Sequence, residues 1–188
     1  MDEIDRIVHV RTAGWMAYTR RGLVTETLAK SNQELASIED VQSLIDQRDE
    51  IWRSEDAESF ELMKPLMENR LSRDLRNHIN KLRQSSGFKV YGEIFFTNRF
   101  GANAAQSNRT SDYRQDDDQW WQLAVRDGVY VSDVDLDKSA KINSVDICLR
   151  VDDEQGELLG VMKAVLNVQE VFSVIDSRSK SYRPDFGE

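Results

Sequence analysis

The chain has 188 residues, 39% of them hydrophobic and 31% charged, with a formal net charge of −9. That length suits one ordinary domain or a small domain with a helical extension, and the composition is globular, not disordered. The negative field argues against nucleic acid, and the lone Cys148 rules out an internal disulfide and a thiolate metal site. No apolar run of about 18 residues occurs, and nothing in the sequence resembles a signal peptide.

Up to Gly87 the apolar residues recur at helical spacing and glycine is scarce. Ile4, Ile7, Val8, Trp15 and Tyr18 mark a first helix, read as running past Leu23 and Leu28. Ser37 is placed to cap a second, with Asp40 three residues on and Val41, Leu44, Ile45, Ile51 and Trp52 along one side. Leu66, Met67, Leu71, Leu75, Ile79 and Leu82 predict a third helix, with Pro65 in its first turn and Gly87 at its end. About 80 residues of helix carrying an apolar stripe invite a homodimer through the N-terminal helix, alongside packing on whatever follows.

After Gly87 the period becomes two. "KVYGEIFFT" alternates as a strand, "NRFG" at 98–101 is a turn, and "ANAAQSN" is a short strand. In "SDYRQDDDQWWQLAV" the second half predicts a helix, started by one of the aspartates and ended by Gly128. Asp116 and Asp117 read as caps and solvated surface. "VYVSDV" is a third strand. "KINSVDICLRV" places Val145, Ile147, Leu149 and Val151 on one face and Ser144, Asp146, Cys148 and Arg150 on the other. "ELLGVMKAVLN" is the fifth strand, and Asn167 with Glu170 caps a final helix through Ile175. Cys148, inside a strand, reads as a small buried hydrophobe. The fold class is α+β: a long helical N-terminal region followed by a five-stranded antiparallel sheet with flanking helices.

This order, in "GEIFFTNRFGANAAQSNRTSDYRQDDDQWW", "GVYVSDVDLDKS" and "DICLRVDDEQGELLGVMKAVLNV", resembles the PAS-like extracytoplasmic sensor domains of the Cache (PDC) family, found in histidine kinases and chemoreceptors. The resemblance covers about residues 88 to 175. It implies a helical stalk over 1–86, a sensor domain over 87–176 and a tail over 177–188 leading toward a membrane. It also implies that membrane spans and an output domain, a histidine kinase first, lie outside this stretch. Carried over by position, Tyr113, Trp120 and Trp121 wall a ligand pocket, Tyr130 and Asp133 reach in from the next strand, and Asp146 holds a ligand amine. The amino-acid-binding members place an arginine two residues before the first aromatic of the pair. Here Asp118 stands there, so the carboxylate clamp is missing, the lining is acidic, and a cationic or polyhydroxylated ligand is expected.

Three other readings stand beside this one. Adjacent indoles on a helix point about 100° apart, so only one, Trp120 before Trp121, is expected to face a ligand while the other packs inward. "DVDLD" at 133–137 starts like a calcium loop, but Lys138 and Ser144 replace the glycine and glutamate that an EF-hand requires. A divalent-metal-responsive sensor and a dimerisation or protein-interaction module without a ligand remain the alternatives. An enzyme reading finds no phosphate loop, HExxH, GxSxG or catalytic-cysteine context, and no cofactor is expected. His9 and His78 read as surface or interface residues.

Overall fold

A computed structural model describes residues 3–54, 56–137 and 142–168. Five helices come first: α1 (Glu3–Thr19), α2 (Gly22–Ala36), α3 (Val41–Ser54), α4 (Ala57–Glu68) and α5 (Arg70–Ser86). The strands β1 (Tyr91–Asn98) and β2 (Asn103–Gln106), then α6 (Gln119–Asp127), then β3 (Val129–Val131), β4 (Asp135–Asp137), β5 (Ile142–Asp152) and β6 (Leu158–Asn167) complete the described chain. Every strand pair is antiparallel, in the order β2-β1-β6-β5-β3, with β4 beside another part of β5. The α+β expectation and its five strands hold, and β4 is an addition. The expected final helix after Asn167 and the tail lie outside the described residues. No described helix is long and apolar enough to cross a membrane.

The helix boundaries differ from the periodicity reading, each for a local reason. The first helix is two, broken at Arg20 and Arg21, whose residues leave the helical hydrogen-bond ladder. The cap of α3 is Asp40, whose carboxylate accepts from the Ser43 amide at 3.0 Å. Ser37 instead closes α2. Pro65 sits late in α4, not in a first turn, and α5 has its own cap in Asn69, which accepts from the Ser72 amide at 2.8 Å. Side-chain caps of this kind contribute about 1 kcal/mol each, enough to reset where helices start.

Strand alternation then decides what lies on each side of the sheet. On one side Ile94, Phe96, Ile147, Leu149, Met162, Ala164 and Leu166 form a single core with Trp15, Tyr18, Val24, Leu28, Leu71 and Leu75 from the helices. Trp15 and Tyr18 are therefore 3% and 8% exposed, seated on Tyr91, Phe96 and His78, and Ile7 and Val8 pack on the same side. This corrects the reason given for a homodimer. Of the stripe that was to meet a second copy, Trp15 and Tyr18 are buried by their own chain and Ile7 and Val8 are half-buried, while Val10 and Met16 are exposed. The other side of the sheet carries α6.

His78 is half-buried between Trp15 and Tyr18, at ring-centroid distances of 5.2 and 6.0 Å. Burial lowers its pKa below the ordinary value; Asp74 opposes this, and Arg11, Arg21 and Lys81 add to it. The unfolded chain then takes up a proton where the folded ring does not. This group's contribution is present above about pH 6.5 and is lost as pH falls below it. The melting temperature should drop more between about pH 7 and about pH 5 in the parent than in His78→Gln. Equal slopes by calorimetry would show that the ring titrates as if free.

Candidate functional site

The polar stretch before α6 is built on buried anchors in α3. The Asp49 carboxylate, 4% exposed, accepts from the amides of Tyr113 (2.8 Å) and Arg114 (3.1 Å) and from Arg53. The Trp52 indole donates to the Thr110 carbonyl at 3.0 Å. Arg114 then ion-pairs with Asp116 at 2.9 Å and Asp46 at 2.7 Å. Gly101 lets Asp116 come close: with φ of +81° and a virtual Cβ only 2.3 Å from the Asp116 Cβ, no other residue fits there.

The three aspartates consequently do different work. Asp116 holds Arg114 and is not a cap, while Asp117 faces solvent. Asp118 occupies the N-cap position of α6 but makes no side-chain cap; its carboxylate accepts from the Trp120 indole at 2.8 Å. Gly128, at φ of +82°, ends the helix as expected.

Beneath α6 the register lines up one row across five strands: Gln106, Phe95, Lys163, Cys148 and Tyr130. Trp120 meets Phe95 edge to face at 5.8 Å, and the Lys163 ammonium lies 4.8 Å from the Trp120 ring centre. That ammonium also ion-pairs with Asp146 at 2.9 Å, the two side chains being 16% and 24% exposed. Burial works against the charge on Lys163. The adjacent Asp146 carboxylate, helped by Glu93, more than offsets it, so the lysine pKa lies above its ordinary value. Trp121 donates to the Thr97 hydroxyl at 2.9 Å, which pins the helix to β1. Cys148 is fully buried and burial pushes its thiol up, as suits a small hydrophobe.

Trp120, Trp121, Tyr130, Asp118 and Asp146 thus come together around α6. Two expected site residues do not join them. Tyr113 is 3% exposed in a separate core with Leu35, Ile45, Trp52 and Met63, its hydroxyl accepting from Arg48 at 3.3 Å. Asp133 is exposed in the link between β3 and β4, and the side chains of Asp135 and Asp137 lie outside the described ones. The residue that sequence reasoning missed is Lys163. Its signal was present: one lysine inside the apolar run "LLGVMKAVLN".

A cavity of about 970 Å³ lies elsewhere. It is a groove between the α1–α2 elbow and the β5–β6 turn, touching Arg20, Glu26, Arg150 and Glu154. Arg150 in it is already engaged, donating to Asp152 at 2.7 Å and to the Val125 carbonyl at 2.9 Å. Lys163 and Asp146, by contrast, hold a paired charge under an aromatic ring on the α6 face.

No family model and no curated protein matches the chain. Its structural neighbours are sensory ligand-binding domains of chemoreceptors and histidine kinases. The ligand-binding domain of the Campylobacter jejuni chemoreceptor Tlp3, solved with 4-methylisoleucine, is 16% identical, with 85% of this chain and 66% of that chain covered and a TM-score of 0.42. The corresponding domain of the Pseudomonas aeruginosa amino acid chemoreceptor PctC, solved with GABA, is 12% identical, with 84% and 63% covered and a TM-score of 0.41. The sensor domain of the V. cholerae histidine kinase DctB is 14% identical, with 85% and 60% covered and a TM-score of 0.38. The chain spans about two thirds or less of the length of each. At these values the likeness identifies no ligand and no partner for this chain.

Removing one member of a mostly buried ion pair strands the other, whereas replacing both by apolar groups is close to neutral. Lys163→Met alone should lower stability by about 1–3 kcal/mol, discounted for residual exposure, and the double variant Lys163→Met, Asp146→Val should recover most of it. Urea unfolding decides this. A double variant as unstable as the single one would make the pair a structural requirement.

Proposed function

We propose that this chain is the ligand-binding sensor domain of a membrane signalling receptor, extracytoplasmic, with a histidine kinase as its output. On this reading a small polar molecule binds between α6 and the sheet, at Lys163 and Asp146. One observation carries the reading: a lysine and an aspartate held under a tryptophan, on a sheet face that apolar residues would fill at least as stably. Groups kept there against desolvation, convergent and beside an aromatic wall, have the make-up of a recognition site.

The ligand on this reading differs from the amine that the resemblance implies. The position over Trp120 and against Asp146, where a ligand amine was expected, is filled by Lys163. A bare cation finds that place taken. The ligand must instead offer an acceptor, a carboxylate or a set of hydroxyls, to the ammonium that Asp146 now holds. Lys163 supplies the cation absent from position 118, as a point charge and without the guanidinium fork. Entry shifts Trp120 and with it α6, which contacts β3, β5 and β6. A signal results because the ligand prefers that shifted arrangement. The homodimer along α1 is not part of the proposal, since Trp15 and Tyr18 of its stripe are buried.

A thermal-shift panel of polyols, mono- and dicarboxylates, amino acids and simple amines tests this. At 100 times Kd a ligand should add about 2.7 kcal/mol of stability. The hits should carry hydroxyls or a carboxylate, and their effect should vanish in Trp120→Ala and Lys163→Met but persist in Tyr113→Phe. Full shifts in both site variants would move the pocket elsewhere, and hits among simple amines alone would overturn the role given to Lys163.

A further inference from the structure

A second pocket, of about 180 Å³, opens on the α5 side of the sheet, away from α6. Arg76 and Asn80 of α5 form one wall, Lys89 and Gly92 at the start of β1 another, and Ser107 and Asn108, just past β2, close it. Its two charged residues are both cations. In a chain with 34 acidic and 25 basic side chains, a hollow lined by arginine and lysine without a carboxylate runs against the composition.

The hydrogen bonding in the pocket is incomplete. Among the described residues the buried Arg76 Nη1 has no hydrogen-bond partner. A guanidinium nitrogen left without an acceptor keeps its full desolvation cost, and native proteins leave few such groups. Ser107 is held in place by β1: its amide donates to the Ile94 carbonyl at 2.8 Å and its hydroxyl oxygen accepts from the Ile94 amide at 2.9 Å. Among the described residues no bond uses the proton of that hydroxyl. Asn80 and Asn108 add amide donors, and glycine at 92 places no side chain in the space. Lining residues that carry two positive charges and several donor groups surround a volume of a few heavy atoms.

We propose that this pocket binds a small oxyanion, as a site separate from the one under α6. Carboxylate and phosphate share the required chemistry, with acceptor oxygens for a guanidinium edge, an ammonium and neutral donors. Arg76 provides the buried, directional contact and Lys89, exposed at the rim, an unspecific attraction. The net charge of −9 opposes every anion at long range, so binding should weaken with salt only through Lys89 and the rim.

Inorganic phosphate and acetate, titrated separately at constant ionic strength, are the probes. The amide resonances of Gly92, Ser107 and Asn108 are followed by NMR, with those of Thr97, Cys148 and Lys163 as the control for the α6 face. One or both anions should give saturable shifts confined to the first set. Phosphate alone marks a tetrahedral ligand, acetate alone a planar one, and either result supports the site. Arg76→Met should weaken binding at least about tenfold and Lys89→Gln about threefold. Arg76→Met should also melt higher than the parent without anion, because the stranded donor is gone, and gain nothing from phosphate. The proposal fails if neither anion gives saturable shifts, or if the shifts survive Arg76→Met unchanged. Shifts appearing only at Thr97, Cys148 and Lys163 would also sink this site while leaving the α6 face in place.

Discussion

The strand that the domain is built around, β6, sits between β1 and β5 and is covered on both faces, so none of its side chains has water as a default neighbour. Val161, Met162, Ala164, Val165 and Leu166 meet that constraint by being apolar and are at most 1% exposed. Lys163 cannot. Its stem can lie along apolar surface, but the ammonium needs a carboxylate and a ring to face. Asp146 on β5, a diagonal neighbour, provides the first. Trp120 provides the second and is itself held by Asp118. The placement of α6 over the sheet is thus coupled to one charge that the strand could not otherwise hold.

The opposite face is mostly apolar. Helices α1, α2 and α5 share a continuous core with the strands, and their polar contacts are few and tightly placed. Asn32, 6% exposed, donates to the Leu159 carbonyl at 2.8 Å and accepts from the Arg99 amide at 2.9 Å, so α2 grips both the start of β6 and the β1–β2 turn. Tyr18 and Arg21 both donate to Asp74, tying the α1–α2 elbow to α5. The loop before α6 is similarly fixed through Asp49 and Trp52. The element held mainly by side chains at its own surface is α6, through Trp120, Trp121 and Ala124.

What could be read from the sequence follows from how local each signal is. Strand alternation is a property of consecutive residues, so the faces of β5 were legible down to Asp146 and Cys148. Gly87 and Gly128 end helices by their own φ freedom, and both ends were legible too. Helix starts were not, because Ser37 and Asp40 are equally good caps until the chain direction is known, and Pro65 is tolerated one turn from a helix end. The site was half legible. Trp120, Trp121, Tyr130 and Asp146 were grouped by the family resemblance and do lie around α6, whereas the position of Tyr113 depends on Asp49, 64 residues away. Lys163 was visible as an anomaly, but its meaning depends on which strand becomes the middle one.

That anomaly also sets how a sensor of this design would discriminate. With Lys163 seated on Asp146, the empty site already contains its own cation, and a ligand must compete with an internal carboxylate for it. Competition of this kind reduces apparent affinity by the fraction of time the ammonium is free, and in return excludes molecules that offer no acceptor. A cation would have to displace Lys163 from both Asp146 and Trp120 and leave the ammonium stranded under α6, at the desolvation cost of an unpaired ion. An anion or polyol only has to share the lysine. On the proposed reading the same pair would therefore reject one class of ligand and make binding of the other depend on rearranging the contact that holds α6, which is the condition for binding to be felt beyond the pocket.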